Sequence, residues 1–406
     1  MPSALFRMAH RHVWRRLPRE GRRRLLLRTS ALFAPRISTT ARATTPVIIA
    51  GMLRSASGLG ATARECHDAL QRHNLPVFGI DLTRTLGYET DIIDWPFIDG
   101  RHVIGRGTLF LHTSGPLVPL VLARLGRRFV RDKHVIAHWF WELRELPEEW
   151  RYGVPFVHGI CVNTQFVARA ARAIAGTRPI HLVPHPMRAP TRAPAAATGN
   201  RPFTVLVVFN VASSFARKNP CAAIRAFRRA FGDEDRSVKL IVKFTNADHW
   251  PPAEGQLQEA AGNATNIELL GGGTLGSAAM ADLFGSADTV LSLHRAEGLG
   301  LVMIEGMLRG LPVVATDWSG NTDFLTSETG IPIGYDLVPA EDPQGAYDHP
   351  RSLWAEPRVE EAAAALRLLR SNPRVRQQLG EAAAKAAAHR FSTACYAESI
   401  RTLLEA

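Results

Sequence analysis

The chain has 406 residues, 46% of them hydrophobic and 21% charged, which suits two domains whose cores need neither disulfides nor a metal. The formal charge of +12 points to nucleic acid until it is located: residues 1–45 hold eleven arginines against one glutamate, and the rest of the chain is near neutral at +2. A basic globular face is thereby excluded, and with it the simplest nucleic-acid-binding class.

Residues 1–45 form a basic N-terminal arm in which Arg15, Arg16, Arg22, Arg23, Arg24 and Arg28 alternate with Leu5, Phe6, Trp14, Leu17 and Leu25–Leu27. Such a mixture suits peripheral contact with an anionic membrane surface, and equally a solvated tail. Cys66, Cys161, Cys221 and Cys395 show no paired spacing, which argues against a disulfide framework or zinc ribbon and for a reducing cytoplasm. The longest apolar candidate, Leu117–Leu125, is short and contains Pro119, so no transmembrane span is expected.

From Pro46 onward strands and helices alternate. Strands are expected at Val47–Met52, Pro76–Ile80, Thr108–His112, His134–His138 and Ile160–Asn163, and helices at Ala61–His73, Leu117–Arg128 and Gln165–Ala175. This places a doubly wound Rossmann-like domain at 46–185. A Pro- and Ala-rich linker follows at 186–202. The second alternation, 203–385, has strands at Phe203–Phe209, Val238–Phe244, Ile267–Leu270, Thr289–Leu293 and Pro312–Thr316. Its first helix is expected to be capped by Asn219, with Pro220 at the first position. Helices at Val359–Leu369 and Val375–His389, and a C-terminal helix within 386–406, are expected to brace the two α/β domains across a cleft.

The most informative stretch begins at Leu291: a strand, a glycine-rich turn, a helix, a second strand and a turn. Ligands of doubly wound sheets bind outside the carboxyl ends of the strands, where this turn lies. Gly298 and Gly300 allow close backbone approach, and the amides of Leu299, Gly300 and Leu301 at the helix start suit a diphosphate. Glu297 and Glu305 flank them as acceptors for hydroxyls. Asp233, Glu234 and Asp235 form a DxD string, but between a helix and a strand, where a solvated loop is expected.

The Glu297-to-Glu305 spacing, the Glu297–Leu301 start, the Leu311–Ala315 strand and the turn Ser319, Gly320, Asn321 with Asp323 resemble the motif of family 4 retaining glycosyltransferases. The resemblance spans roughly residues 46–390 and implies the GT-B architecture. It implies transfer of a hexose from a nucleotide diphosphate sugar, GDP-mannose or UDP-glucose, to a glycan or lipid-linked acceptor in polysaccharide biosynthesis. The enzyme would lie in the cytoplasm, at the inner face of the membrane if the arm binds there. By the same resemblance Glu297 meets the donor sugar, Glu305 the ribose and Lys218 a phosphate, with no metal or other cofactor needed. Arg217 is a second phosphate candidate. The Gly-x-Arg of many members is missing near Ala212, and Arg217 or Lys243 is expected to stand in. Gly58 and Gly60 resemble the family's first-domain loop. His138, and less directly His112, occupy a strand end where members often place a histidine facing the donor sugar.

Arg217–Pro220, the aromatic string Trp139, Phe140, Trp141, Glu142 and the later Trp354–Pro357 resemble a polysaccharide-forming, mannosyltransferase-like branch. The three aromatics either stack on a sugar or form a buried cluster. Two other functions share the architecture: a catalytically silent sugar- or nucleotide-binding protein and a nucleotide-sugar 2-epimerase. A phosphorylase would need a pyridoxal lysine, and none stands out.

Overall fold

The structure, a computed structural model, describes residues 27, 29–87, 93–188, 201–347 and 351–405. The arginine-rich part of the arm and most of the expected linker lie outside the described residues.

The first unit is a six-stranded parallel sheet in the order β2-β1-β3-β4-β5-β6. Its strands are β1 (Val47–Gly51), β2 (Val77–Asp81), β3 (Gly107–His112), β4 (Lys133–His138), β5 (Gly159–Val162) and β6 (Ile180–Leu182). Every residue of β1 is buried. Val47 and Ile49 enter one core and Ile48 and Ala50 the other, as a strand covered on both faces requires. Helix α1 (Gly58–Arg72) covers one face. The helix expected at Leu117–Arg128 is divided into α2 (Val118–Leu125) and α3 (Arg127–Val130), because Gly126 adopts a φ of 82° and ends the first turn set. Helix α4 (Gln165–Arg172) is capped by the Thr164 hydroxyl, which accepts from the Val167 amide at 3.3 Å.

The expected arm is shorter than 1–45. The carbonyls of Ser38 and Ala41 accept from His158 Nε2 at 2.7 Å and His134 Nδ1 at 3.0 Å, and Thr44 bonds the Thr108 hydroxyl through both its amide and its carbonyl. Residues 38–44 thus belong to the first unit.

The second unit repeats the plan in the order β12-β11-β10-β7-β8-β9. Its strands are β7 (Phe203–Asn210), β8 (Val238–Thr245), β9 (Ile267–Leu270), β10 (Thr289–Ser292), β11 (Val313–Thr316) and β12 (Ile331–Ile333). Helices α5 (Phe215–Lys218), α6 (Pro220–Phe231), α7 (Pro252–Ala261), α8 (Ser277–Gly285) and α9 (Leu301–Leu308) surround it. Asn219 stands before α6 as expected but makes no side-chain cap bond. Its φ of 51° instead lets the chain turn between α5 and α6, a conformation asparagine tolerates. An antiparallel hairpin, β13 (Tyr335–Pro339) and β14 (Leu353–Pro357), was not expected.

Helices α10 (Val359–Ser371) and α11 (Pro373–Arg390) pack against the second unit, on α6 and α9 respectively. The last helix, α12 (Thr393–Glu405), crosses to the first unit, where Tyr396, Ala397, Ile400 and Leu403 join the core beside α1 and β1. Among the described residues no helix is long and apolar enough to cross a membrane.

Candidate functional site

Strand order reverses between β1 and β3 in the first sheet, and between β7 and β10 in the second. Each reversal opens a crevice at the carboxyl ends of the strands, the favoured ligand position in such sheets. The segment after β7 carries Arg217 and Lys218, and the segment after β10 carries Glu297. The topology therefore brings together three residues that lie about eighty positions apart in sequence.

The three form one buried ion cluster. Lys218 Nζ bonds Glu297 Oε1, and Arg217 Nη1 lies 3.3 Å from Glu297 Oε2. Burial raises the Glu297 pKa, but Lys218, Arg217 and His294 outweigh it and draw the value down from 4.5 to about 2. Burial lowers the Lys218 pKa, opposed by Glu297. The carboxylate is ionised between two cations, so the cluster presents a net positive charge to a ligand. A carboxylate with a depressed folded pKa stabilises the fold fully above pH 4.5, and that contribution disappears as pH falls toward 2. Thermal unfolding measured across this window should show an acid limb that Glu297→Gln flattens.

The two cations have different tasks. Arg217 is 3% exposed at its side chain and Lys218 19%. The Arg217 guanidinium donates to the Ala296 carbonyl at 2.7 Å and to the Ser213 carbonyl at 2.8 and 3.2 Å, and lies 5.2 Å from the Tyr347 ring centroid. Four of its five N–H donors are engaged by the main chain and by Glu297. Arg217, expected as a phosphate ligand, here holds the two crevice-lining segments together. Lys218 spends one donor on Glu297 and retains two. Lys243, the other candidate stand-in, is buried, with its ammonium bonded to the carbonyls of Gly271 and Gly273 at 3.1 and 3.2 Å.

The turn Ser319–Asn321 fixes the Glu297 loop from behind. Ser319 Oγ accepts from the Glu297 amide at 2.8 Å, and the Gly320 amide donates to the Glu297 carbonyl at 2.8 Å. Asn321 Oδ1 lies 3.0 Å from His294 Nε2, while its amide group donates to the Thr316 carbonyl at 2.9 Å. The hairpin supports the other side: Arg295 donates to Glu356 at 2.6 Å and to the Ala216 carbonyl at 2.8 Å, and lies over Trp354. This explains the Trp354–Pro357 string as a brace for the loop. His294 and Tyr347 were not singled out in the sequence, where nothing but their tertiary neighbours marks them.

Gly298 needs its missing side chain, since a Cβ there would stand 2.7 Å from the Trp141 carbonyl of the first unit. Its own carbonyl accepts from the Thr164 hydroxyl at 3.0 Å. Gly300 takes a φ of 96° before α9, and the first amides of that helix, from Leu301, have no partner within it. Leu299 is buried beneath the turn. Glu305 is on α9, with its carboxylate paired to Arg309 at 3.0 Å. The structure shows no contact between Glu305 and Glu297.

In the first unit Gly58 and Gly60 begin α1, and a Cβ on Gly60 would collide with the Ser55 and Met52 carbonyls. His112 and His138 end β3 and β4, each 1% exposed, with ring centroids 4.6 Å apart. Burial lowers the His138 pKa to about 3, and Phe140 stacks on its ring at 4.5 Å. A sugar-facing His138 was expected; in this structure the imidazole is enclosed. Trp139 and Trp141 are likewise buried, packed edge-on against Trp150, and Trp141 reaches Tyr347 of the second unit. Two of the three aromatics of the string, Trp139 and Trp141, thus form a buried cluster, while Phe140 is half-buried over His138. Asp233 pairs with Arg228 and Asp235 bonds Ser237, as a solvated loop would.

Solved structures with the same fold include TarM of S. aureus, in a complex with fondaparinux, alpha-GlcNAc-glycerol and UDP (15% identity, TM-score 0.56). That match covers 74% of this chain and 55% of TarM, so the chain spans about half of that protein's length. HepE of Anabaena, in complex with UDP and glucose, matches at 13% identity and TM-score 0.59 over 89% of this chain and 99% of its own. Sucrose-phosphate synthase of Thermosynechococcus elongatus matches at 14% and 0.62 over 89% and 98%. At these identities the likeness establishes the GT-B fold alone. No curated protein matches the sequence. A profile described as family 4 glycosyltransferase in conflict systems matches residues 159–394, more than half the chain and all of the Arg217–Lys218–Glu297 cluster. The chain therefore belongs to that family of glycosyltransferases.

Proposed function

We propose that the protein transfers a glycosyl unit from a nucleotide diphosphate sugar to an acceptor hydroxyl with retention of configuration and without a metal at the diphosphate. The observation that carries this reading is the ionised Glu297 held between Arg217 and Lys218 beside the open start of α9. In it Glu297 accepts from hydroxyls of the donor sugar, and Lys218 turns its remaining donors to the diphosphate. The α9 amides add their partial positive charge, and Glu305 exchanges Arg309 for the ribose. Gly58 and Gly60 shape the facing loop. Catalysis is then positioning and neutralisation of the leaving diphosphate, whose oxygen helps remove the acceptor proton on the same face. His138 stays outside this reading because its ring is enclosed.

UDP and glucose in HepE, and UDP in TarM, support a uridine donor over a guanosine one. The conflict-system description leaves the polysaccharide acceptor resting on the Arg217–Pro220 and Trp139–Glu142 strings.

A panel of UDP, GDP and their sugars should contain a ligand that raises the unfolding temperature at millimolar concentration, with slow hydrolysis or transfer from the matching sugar. Lys218→Ala should weaken that nucleotide about 10- to 100-fold, the usual range for a charge-assisted contact of about 1.5–3 kcal/mol. If nothing in the panel shifts the wild-type chain, the donor site is wrongly placed. A silent binding protein would show the shift without turnover.

A further inference from the structure

Beneath the carboxyl ends of the first sheet lies a cluster that glycosyl transfer does not use. Cys66 on α1, His112 at the end of β3 and His138 at the end of β4 each offer one ligand atom, all within 4.8 Å of one another. All three are 0–1% exposed. His112 and His138 are register partners on adjacent strands. The ring of His112 sits where Gly51 has no side chain, since a Cβ there would approach the His112 Cβ to 3.1 Å.

The cluster lacks hydrogen bonds where it needs them. Both ring nitrogens of His112, and Nδ1 of both His138 and His185, are buried without a partner. Each such atom costs about 1–3 kcal/mol if nothing occupies the space. The surrounding bonds also decide what could occupy it. Asn163 donates through Nδ2 to the Val183 carbonyl at 2.9 Å, which turns its Oδ1 to His138 Nε2 at 3.1 Å. His138 therefore carries its proton on Nε2 and offers a lone pair from Nδ1. His185 Nε2 rests 2.6 Å from Glu65 Oε2, which leaves Nδ1 as a lone pair in the same way. A buried imidazole lone pair whose opposite nitrogen is held by a side-chain amide, as in His138, is the outer arrangement of a metal-ligating histidine.

We propose that Cys66, His112 and His138 supply three ligands to a zinc ion. A thiolate with imidazoles is a zinc-type donor set, for which Zn–N bonds of roughly 2.1 Å and a Zn–S bond of roughly 2.3 Å are required. Binding replaces the Cys66 thiol proton with the metal; the proton leaves to solvent, and no electrons move. The ion ties α1 to the ends of β3 and β4 behind the donor crevice. It has no part in neutralising the diphosphate, so it does not conflict with metal-independent transfer. Because the site is enclosed, loading takes place as the chain folds.

The test uses the full chain, freed of any histidine tag, from zinc-supplemented cells. Elemental analysis after desalting should find close to one zinc per chain. Cobalt-supplemented expression should give the thiolate-to-cobalt charge-transfer absorption of a Cys-ligated site. Cys66→Ser and His112→Asn should each lower metal content at least tenfold and abolish that absorption, whereas Cys221→Ser should keep both. Should a ligand variant fail to fold, the wild-type metal content and cobalt spectrum still decide. Folded wild-type chain with less than a tenth of an equivalent of zinc and no cobalt–thiolate band overturns the proposal. So does metal retained in full by both ligand variants.

Discussion

Glu297→Gln is expected to lower transfer by about three orders of magnitude in kcat/KM in the folded fraction. It should lower stability as well, because it removes the charged partner of a buried ion cluster. Loss of one preorganised electrostatic partner at a reacting centre commonly costs 10²- to 10³-fold. Here the same carboxylate both accepts from the donor sugar and sets the positions of Lys218 and Arg217, so the upper end of that range applies. Glutamine keeps the shape and one acceptor oxygen, but leaves two buried cations without their counter-charge. The readout is steady-state transfer with the donor identified by thermal shift, accompanied by circular dichroism. Activity within tenfold of wild type would remove Glu297 from the centre of the site.

Arg217→Ala should act on stability first. The guanidinium is 3% exposed and bonds two carbonyls from different segments as well as Glu297. Removing one partner of a buried ion pair costs about 3–5 kcal/mol, because the other charge stays buried. For a unit of this size that corresponds to a fall in Tm of roughly 10 °C. Arg217→Lys should recover only part of the loss, because an ammonium cannot reach both the Ser213 and Ala296 carbonyls with the geometry of the planar fork. Nucleotide affinity in the surviving folded fraction separates this from a phosphate-binding role: a positioning residue changes stability more than the affinity of a saturating ligand. A mutant of wild-type stability that has lost nucleotide binding would return Arg217 to the diphosphate.

The contrast between these residues shows what a sequence carries. Strands such as β1, β8 and β9 were legible almost to the residue because each is a short, largely apolar run bounded by polar or turn residues; β1 is buried throughout and β8 nearly so, while β9 is an edge strand with Glu268 exposed. The glycine turn and its glutamate were legible because a strand, a tight turn and a helix start in that order leave few alternatives. Arg217 was not, because its role depends on the Ala296 carbonyl, 79 residues away, and an arginine that binds phosphate looks the same in one dimension as one that binds main chain. Asn219 shows a related ambiguity: asparagine before proline suits a helix cap and a left-handed turn equally, and between α5 and α6 it takes the turn. The β13–β14 hairpin escaped because Pro339, Pro357 and exposed Leu337 and Leu353 blur its alternation. The burial of His138 escaped because a strand-end position is open in one protein and closed in another according to the side chain that packs over it, here Phe140.

Helix α12 also bears on how the protein is made. Tyr396, Ala397, Ile400 and Leu403 fill the first unit's core beside residues from positions 47–75, so that core spans nearly the whole length of the chain. On the ribosome the N-terminal sheet emerges long before the helix that covers it, and its apolar flank must wait through synthesis of the entire second unit. The second unit has its own sheet and the α10–α11 cover, all of them encoded before α12. A nascent chain stalled before Thr393 therefore presents the α1–β1 flank without its α12 cover to chaperones.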